Sequence, residues 1–114
     1  MAIDNPKTVD LVERSPNGAL VLKIVDHLDW SDPTTHKYLL QEKINAYCAY
    51  IDSGQIFRDY PADESRPLKI EHVFFHDLPE SAVEYLEKLK GLLGSWKISF
   101  VSRRYGAGEH LGRQ

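Results

Sequence analysis

Hydrophobic and polar residues alternate on both sides of a tight turn near the start of the chain. Val9 and Leu11 alternate with polar residues before Ser15-Pro16-Asn17-Gly18, and an aliphatic segment follows over residues 19–25. Asn-Gly pairs tolerate the positive φ angles that a short hairpin turn requires. The pattern therefore predicts a β-hairpin over residues 8–25.

Two later segments place apolar residues at helical spacing. Asp32-Pro33 supplies an N-cap and a favoured first residue for a helix over 33–53, and Gly54 is a typical residue after its end. A second helix is predicted over 79–93, with Gly94 as its end. The predicted buried stripes are Leu40, Ile44, Tyr47, Cys48 and Ile51 in the first helix, and Ala82, Tyr85, Leu86, Leu89 and Leu93 in the second.

Two further extended segments complete the predicted sheet, over residues 68–75 and 97–102, and residues 55–67 read as a long polar connection. The predicted order is β-β-α-β-α-β. Because each helix has one apolar stripe, we expect an α+β fold, a two-layer sandwich in which a four-stranded mixed sheet carries two helices on one face. The long connection after Gly54 leaves the direction of the third strand open.

The chain length fits one domain, since 114 residues leave no room for a second core. We expect a leader over residues 1–7, the α+β domain over 8–102 and a flexible C-terminal tail over 103–114.

Charge and composition limit the functional classes and the cellular compartment that we expect for this protein. The net charge of -3 gives no electrostatic footprint for nucleic acid or an anionic membrane. The single cysteine excludes an intrachain disulfide. No apolar segment approaches the roughly 20 residues that span a bilayer, and no N-terminal apolar run follows a basic start. We therefore expect no signal peptide and a cytoplasmic protein.

The densest polar cluster follows the second predicted strand, at Asp26-His27-Leu28-Asp29-Trp30. If strands two to four run parallel, His76 reaches the same edge of the sheet, where ligands tend to bind. A histidine near carboxylates is suited to acid–base chemistry, so Asp26, His27, Asp29, Trp30 and His76 are ligand-binding candidates. We favour the alternative, in which these residues only end a strand and begin a helix. We therefore assign no catalytic residue.

Metal and thiol chemistry find little support in the sequence. His72 and His76 share a strand face but stand about 13 Å apart at strand rise, so they cannot bind one metal ion together. Cys48 falls in the apolar stripe of the first helix, where a thiol acts as a small hydrophobic side chain. We expect no metal and no cofactor.

The second face of the predicted sheet is a candidate interface. Five apolar residues alternate there, opposite those that meet the helices: Val21, Val25, Val73, Phe75 and Val101. An open apolar patch of this kind marks a partner surface, and a homodimer is the expected partner. The alternative is that the leader, the long connection or the tail covers the patch.

Several stretches of the chain resemble a known family. They are Ile24-Val25-Asp26-His27-Leu28-Asp29-Trp30 and residues 3–10, 40–47 and 51–55. They resemble a bacterial family of small uncharacterised proteins, a domain of unknown function, over residues 3 to about 102. The resemblance implies a bacterial cytoplasmic protein and no activity. Because the sequence assembles no nucleophile, base and orienting group at a recognisable spacing, we expect a non-catalytic protein-interaction or self-associating module. The alternative is a small-ligand-binding or hydrolase-like enzyme that uses Asp26, His27 and Asp29.

Overall fold

The computed structural model of the chain describes residues 11–16, 18–61 and 67–106. The predicted leader, Asn17 and the tail from residue 107 lie outside the described residues. The elements in chain order are β1 (Leu11–Arg14), β2 (Leu20–Asp26), α1 (Pro33–Asp52), α2 (Gln55–Asp59), β3 (Leu68–Phe74), α3 (Glu80–Ser95) and β4 (Ile98–Arg104).

The four strands form one mixed sheet in the order β1-β2-β3-β4. β1 runs antiparallel to β2, whereas β2, β3 and β4 are mutually parallel. The third strand, whose direction the sequence left open, is therefore parallel to the second. Helices pack on the sheet, with α3 beside β4 and in contact with α1. The predicted α+β fold with a four-stranded mixed sheet is confirmed.

The predicted hairpin joins β1 to β2. The Ser15 N–H donates to the Ala19 carbonyl and the Gly18 N–H donates to the Ser15 carbonyl, both at 2.9 Å. Gly18 has a φ of 91°, which a residue with a side chain rarely adopts. The glycine therefore permits the tight turn that sets the register of the hairpin.

Helix α1 begins and ends where its capping residues predict. The Asp32 carboxylate accepts the Thr35 N–H at 3.2 Å and the Thr35 hydroxyl at 2.8 Å, and Pro33 is the first helical residue. At the other end Gly54 has a φ of 81° and donates its N–H to the Ile51 carbonyl. This left-handed residue ends α1 and turns the chain directly into α2.

The prediction of an unbroken polar connection over residues 55–67 is wrong for its first five residues. Helix α2 occupies Gln55–Asp59. Gln55 bonds two residues of the next turn, Arg58 at 2.9 Å and Asp59 at 2.7 Å, and Ile56 is fully buried against the core. One apolar anchor and two side-chain bonds therefore stabilise a helix too short for a sequence pattern to show.

The corner between α3 and β4 also differs from the prediction. Gly94 does not end the helix, which continues to Ser95, and the turn is made by Lys97 with a φ of 65°. β4 then runs to Arg104, two residues beyond its predicted end. The Tyr105 N–H donates to the Phe74 carbonyl at 2.8 Å, which extends the pairing with β3.

The core lies between the sheet and the helices. Leu40, Ile44 and Tyr47 of α1 are buried there, and the Tyr47 hydroxyl donates to the Lys23 carbonyl at 2.5 Å. Cys48 is half-buried beside this core, and burial raises the pKa of its thiol. None of the helices in the described part of the chain is long and apolar enough to cross a membrane.

Candidate functional site

A buried polar network lies at the carboxyl end of the parallel strands. One oxygen of Asp26, Oδ2, contacts the Nε2 atoms of His36 at 2.6 Å and His72 at 2.7 Å. The exposed fractions of the three residues are 0% for Asp26, 2% for His36 and 0% for His72. One carboxylate thus joins β2, β3 and the first turn of α1. We call Asp26, His36, His72 and Ser102 the histidine network.

The strand register brings these residues together. His72 pairs with Ile24 of β2 and with Ser102 of β4. Because side chains alternate between the two faces of a strand, Asp26 lies on the same face as Ile24, which is the face that meets the helices. Three polar side chains of adjacent strands therefore share one end of the apolar layer, and α1 adds His36 from above.

Each imidazole of the network has a polar partner at both ring nitrogens. His36 Nδ1 lies 2.9 Å from the Asp29 carbonyl oxygen, and its Nε2 faces the Asp26 carboxylate. His72 Nε2 faces the same carboxylate, and its Nδ1 lies 3.0 Å from Ser102 Oγ, whose hydroxyl can donate to it. The network therefore satisfies all four ring nitrogens.

The environment of Asp26 keeps this carboxylate ionised. Burial alone raises the pKa of Asp26, but the hydrogen bonds from His36 and His72 and the adjacent positive charge outweigh burial and lower the pKa from 3.8 to about 2. Its second oxygen accepts the Leu28 N–H at 3.2 Å. Three hydrogen bonds therefore compensate the burial of the Asp26 carboxylate.

The loop after β2 closes over the network. The Trp30 indole stacks on the His36 ring, with centroids 3.6 Å apart and an interplanar angle of 14°. The exposed Asp29 carboxylate accepts the Ser31 hydroxyl at 2.7 Å and the Ser31 N–H at 3.1 Å, and these bonds lower the pKa of Asp29. The loop is thereby held by a stacked ring and a local turn.

The predicted ligand-binding candidates divide between two environments. Asp26 and Trp30 belong to or cover the histidine network, and Asp29 reaches it through its backbone carbonyl. His27 lies outside it, and its buried Nδ1 finds no hydrogen-bond partner in the described part of the chain. His76 is exposed, and its charge helps to lower the pKa of Asp29. Their role in binding stays a prediction.

Sequence reasoning missed His36, His72 and Ser102 as members of the site. A weak signal existed for His72, since it stands between Ile70 and Phe74 in a strand pattern and so points to the apolar layer. His36 carried none, because the first turn of a helix ordinarily faces solvent.

The network lacks the spacing of a metal centre. The nitrogen and oxygen atoms are in direct hydrogen-bond contact at 2.6 and 2.7 Å, and the proton of each Nε2 occupies the position a metal bond would need. In the described ranges no group of three or more His, Cys, Asp or Glu side chains is arranged to hold a metal ion.

The hydrogen bonds from Ser102 to His72 and from His72 to Asp26 follow the order of nucleophile, base and orienting carboxylate in serine hydrolases. Two features oppose that chemistry. His72 is completely buried, and Asp26 is shared with a second imidazole. These two features favour a role in holding side chains in position over a role in proton transfer.

The opposite face of the sheet holds the five interface candidates. Val21 and Val73 are buried, Val25 and Phe75 are half-buried, and Val101 is 36% exposed. A row of ion pairs crosses the same face: Lys23 contacts Glu13 at 3.3 Å and Glu71 at 3.6 Å, and Glu71 contacts Arg103 at 3.0 Å. This face is therefore part apolar and part charged.

Comparison with known proteins places the chain without assigning an activity. No curated protein and no solved structure matches it significantly. A family model described as a family of unknown function, DUF6572, matches residues 1–105. The match covers nearly the whole chain, including every described residue except Gly106. The chain therefore belongs to DUF6572, a family of unknown function.

Proposed function

We propose that this chain is a non-catalytic interaction module that associates with a second copy of itself through the outer edge of β4. We infer a bacterial, cytoplasmic homodimer. The observation that carries the proposal is the position of β4 at the edge of the sheet in the described part of the chain.

β4 is an edge strand with seven residues, Ile98–Arg104. Backbone groups of successive strand residues point to opposite sides. Because the Tyr105 N–H donates to Phe74 in β3, the N–H groups of Arg104, Ser102 and Phe100 point away from β3. In the part of the chain that the structure describes, these outer groups have no strand partner. A long unpaired edge of this kind is a template for another strand.

One exposed apolar side chain on this strand, that of Val101, defines where two copies would meet. Val101 is 36% exposed and lies on the sheet face opposite the helices. A twofold axis at Val101 pairs β4 with its copy in antiparallel fashion and places the two Val101 side chains directly opposite each other. Phe100 then bonds Ser102 of the second copy, and Ser99 faces its Arg103. This register juxtaposes β-branched side chains and no like charges.

The other edge of the sheet is less suited to pairing. β1 has four residues, Leu11–Arg14, and two of them, Glu13 and Arg14, are charged. Short, charged edge strands resist association. By contrast, residues 98–102 of β4 contain no charged side chain and no proline. The contrast between the edges favours β4 as the interface.

The histidine network supports a structural rather than catalytic role for the polar residues. Its imidazoles are buried, and both nitrogens of His36 and of His72 already have partners. The network joins the loop after β2 to the sheet. Its hydrogen bonds also link β2, β3 and β4 to one another, and β4 carries the proposed interface.

The test places opposite charges at the proposed axis. Val101→Lys and Val101→Glu each set like charges against each other, so each variant alone is expected to sediment as a monomer at concentrations at which the natural chain is a dimer. An equimolar mixture is expected to form a heterodimer. Val83→Lys on α3 is the matched control, since Val83 is 43% exposed and does not belong to β4; it should remain dimeric. A monomeric natural chain, or charged variants that dimerise unmixed, would refute the proposal.

A second candidate is a hydrolase-like enzyme, which the Ser102–His72–Asp26 order of hydrogen bonds specifically favours. It differs from the sequence-based alternative because His72 takes the place of His27. In this candidate the Ser102 oxygen attacks an ester carbonyl while His72 Nδ1 takes the hydroxyl proton. The acyl–oxygen bond of the ester then breaks, His72 returns the proton to the departing alcohol, and the acyl group stays on Ser102. Intact-mass analysis after incubation with an activated aryl ester decides: acylation of the natural chain but not of Ser102→Ala supports the enzyme, and an unmodified natural chain excludes it.

A further inference from the structure

A second region of the molecule has the dimensions of a ligand site. A cleft of about 440 Å³ lies between the last turns of α1 and the corner that joins α3 to β4. Its lining is Cys48, Ala49, Ile51, Asp52, Trp96 and Ile98. Small-molecule sites typically enclose roughly 300–1,000 Å³ and are lined by apolar and aromatic side chains with few polar groups. It lies at the start of β4, away from the histidine network at the other end of the strands.

The lining of this cleft carries one charged side chain, and that side chain is negative. It belongs to Asp52, the last residue of α1. The carboxyl end of a helix carries a partial negative charge. The last turn of α1 contains no basic residue, and the Arg58 side chain of α2 lies near Gly54, just beyond the helix end. The Asp52 carboxylate therefore places negative charge at one side of an otherwise apolar cleft.

The backbone next to Trp96, the aromatic residue that lines the cleft, has an unusual conformation. Trp96 is 55% exposed although it is the largest apolar side chain in this region. The next residue, Lys97, has a φ of 65°, a left-handed conformation that costs energy for a residue with a side chain. Left-handed residues other than glycine concentrate at functional sites. This turn sets Trp96 and Ile98 on the cleft.

We infer that the cleft binds a small organic ammonium ion with an apolar body. The ammonium group would lie against the Trp96 indole and the Asp52 carboxylate, since a cation is attracted both by an aromatic face and by the negative helix end. The apolar body would contact Ile51 and Ile98. An anionic ligand would be repelled by the Asp52 carboxylate. A neutral apolar ligand would gain no electrostatic attraction from the carboxylate or the helix end.

The experiment follows the indole N–H signals of the two tryptophans by ¹H–¹⁵N NMR during titration with benzyltrimethylammonium chloride. Trp96 should shift in a saturable way, whereas buried Trp30, which stacks on His36, should not and serves as the internal reference. Tetramethylammonium, which has the charge without the body, and benzyl alcohol, which has the body without the charge, should each bind more weakly.

Two variants assign the contacts. Asp52→Asn should raise the dissociation constant about fivefold because it removes the counter-charge. Trp96→Leu, followed by the Ile98 amide signal, should raise it about tenfold through loss of the aromatic face. Glu84→Gln on the exposed side of α3 is the matched charge control and should bind as the natural chain does. Equal binding by benzyl alcohol and the ammonium ion, or an unchanged dissociation constant in Asp52→Asn, would overturn the inference.

Some lipid headgroups carry the same alkylated ammonium group, so a separate measurement must distinguish a soluble cation from a lipid as the ligand. Sedimentation with phosphatidylcholine vesicles is expected to leave the protein in the supernatant, because the cleft would take a soluble cation. Protein that pellets with these vesicles and gives no Trp96 shift with the free cation would contradict the assignment. The self-association test at Val101 is independent, since Val101 does not line this cleft.

Discussion

Asp26, the last residue of β2, and His72, in the middle of β3, are joined by a 2.7 Å hydrogen bond, and neither residue is exposed to solvent. The same carboxylate oxygen accepts a second bond, from His36 Nε2 at 2.6 Å. A single buried carboxylate thus holds two strands and a helix. This arrangement makes the network sensitive to loss of either partner.

Replacement of Asp26 by asparagine should strongly destabilise the fold. The amide keeps the shape of the side chain but removes the ionised acceptor that the buried His36 and His72 imidazoles share. Breaking a buried pair in this way costs about 3–5 kcal/mol of unfolding free energy. Urea denaturation at neutral pH measures it.

Asp77→Asn is the control for that comparison. Asp77 contacts Arg104 at an exposed position, and its side chain is 96% exposed. An exposed ion pair contributes about 0–1 kcal/mol, so this variant should stay near the natural stability. Equal, small effects of the two substitutions would show that Asp26 carries no buried counter-charge.

The stability of the natural chain should fall in acid because of Asp26. Its pKa is 3.8 in the reference state and about 2 in the fold, so the folded state binds its proton less readily. The resulting stabilisation is fully present above the reference value and disappears as the pH falls through about 2. By linkage it amounts to about 2 kcal/mol.

The Asp26→Asn variant isolates this contribution. The exposed Asp29 and Asp32 also have lowered pKa values, but both proteins retain them, so their effects cancel. The stability difference between the two proteins, from urea melts at a series of acid pH values, should shrink as the pH falls. A difference that is independent of pH would be inconsistent with an ionised Asp26.

Lys97→Gly should stabilise the domain. Lys97 holds a φ of 65°, which is unfavourable for a residue with a Cβ, and glycine adopts it freely. The gain should be about 1 kcal/mol. Lys97→Ala keeps the Cβ and removes the charge, so thermal melts should show a higher midpoint for the glycine variant alone. A gain shared by both variants would assign the effect to charge.

The fold was predictable where one local feature determines one element. Asp32 and Gly54 marked the ends of α1, and Asn17-Gly18 marked the hairpin, because capping and turns depend on neighbouring residues. Helix α2 was missed because Gly54 both ends one helix and begins the next. The α3–β4 corner was missed because Lys97 stands where glycine is usual.

The histidine network was only partly predictable for a different reason. Asp26 was found because it ends an apolar strand. Its partners lie ten and forty-six residues further along the chain, at His36 and His72, and only the parallel register of β2 and β3 brings His72 to it. His27, the neighbour in sequence, points elsewhere. Sequence proximity therefore pointed to a different histidine from the two that bond Asp26.

The most direct test of the proposed function is hydrogen exchange of the β4 amides at low and high protein concentration. The N–H groups of Ser99, Val101 and Arg103 face β3 and should be protected at both concentrations. Those of Phe100, Ser102 and Arg104 face outward and should become protected only as the dimer forms. Outward amides that exchange equally fast at every concentration, while the inward ones stay protected, would contradict association through β4.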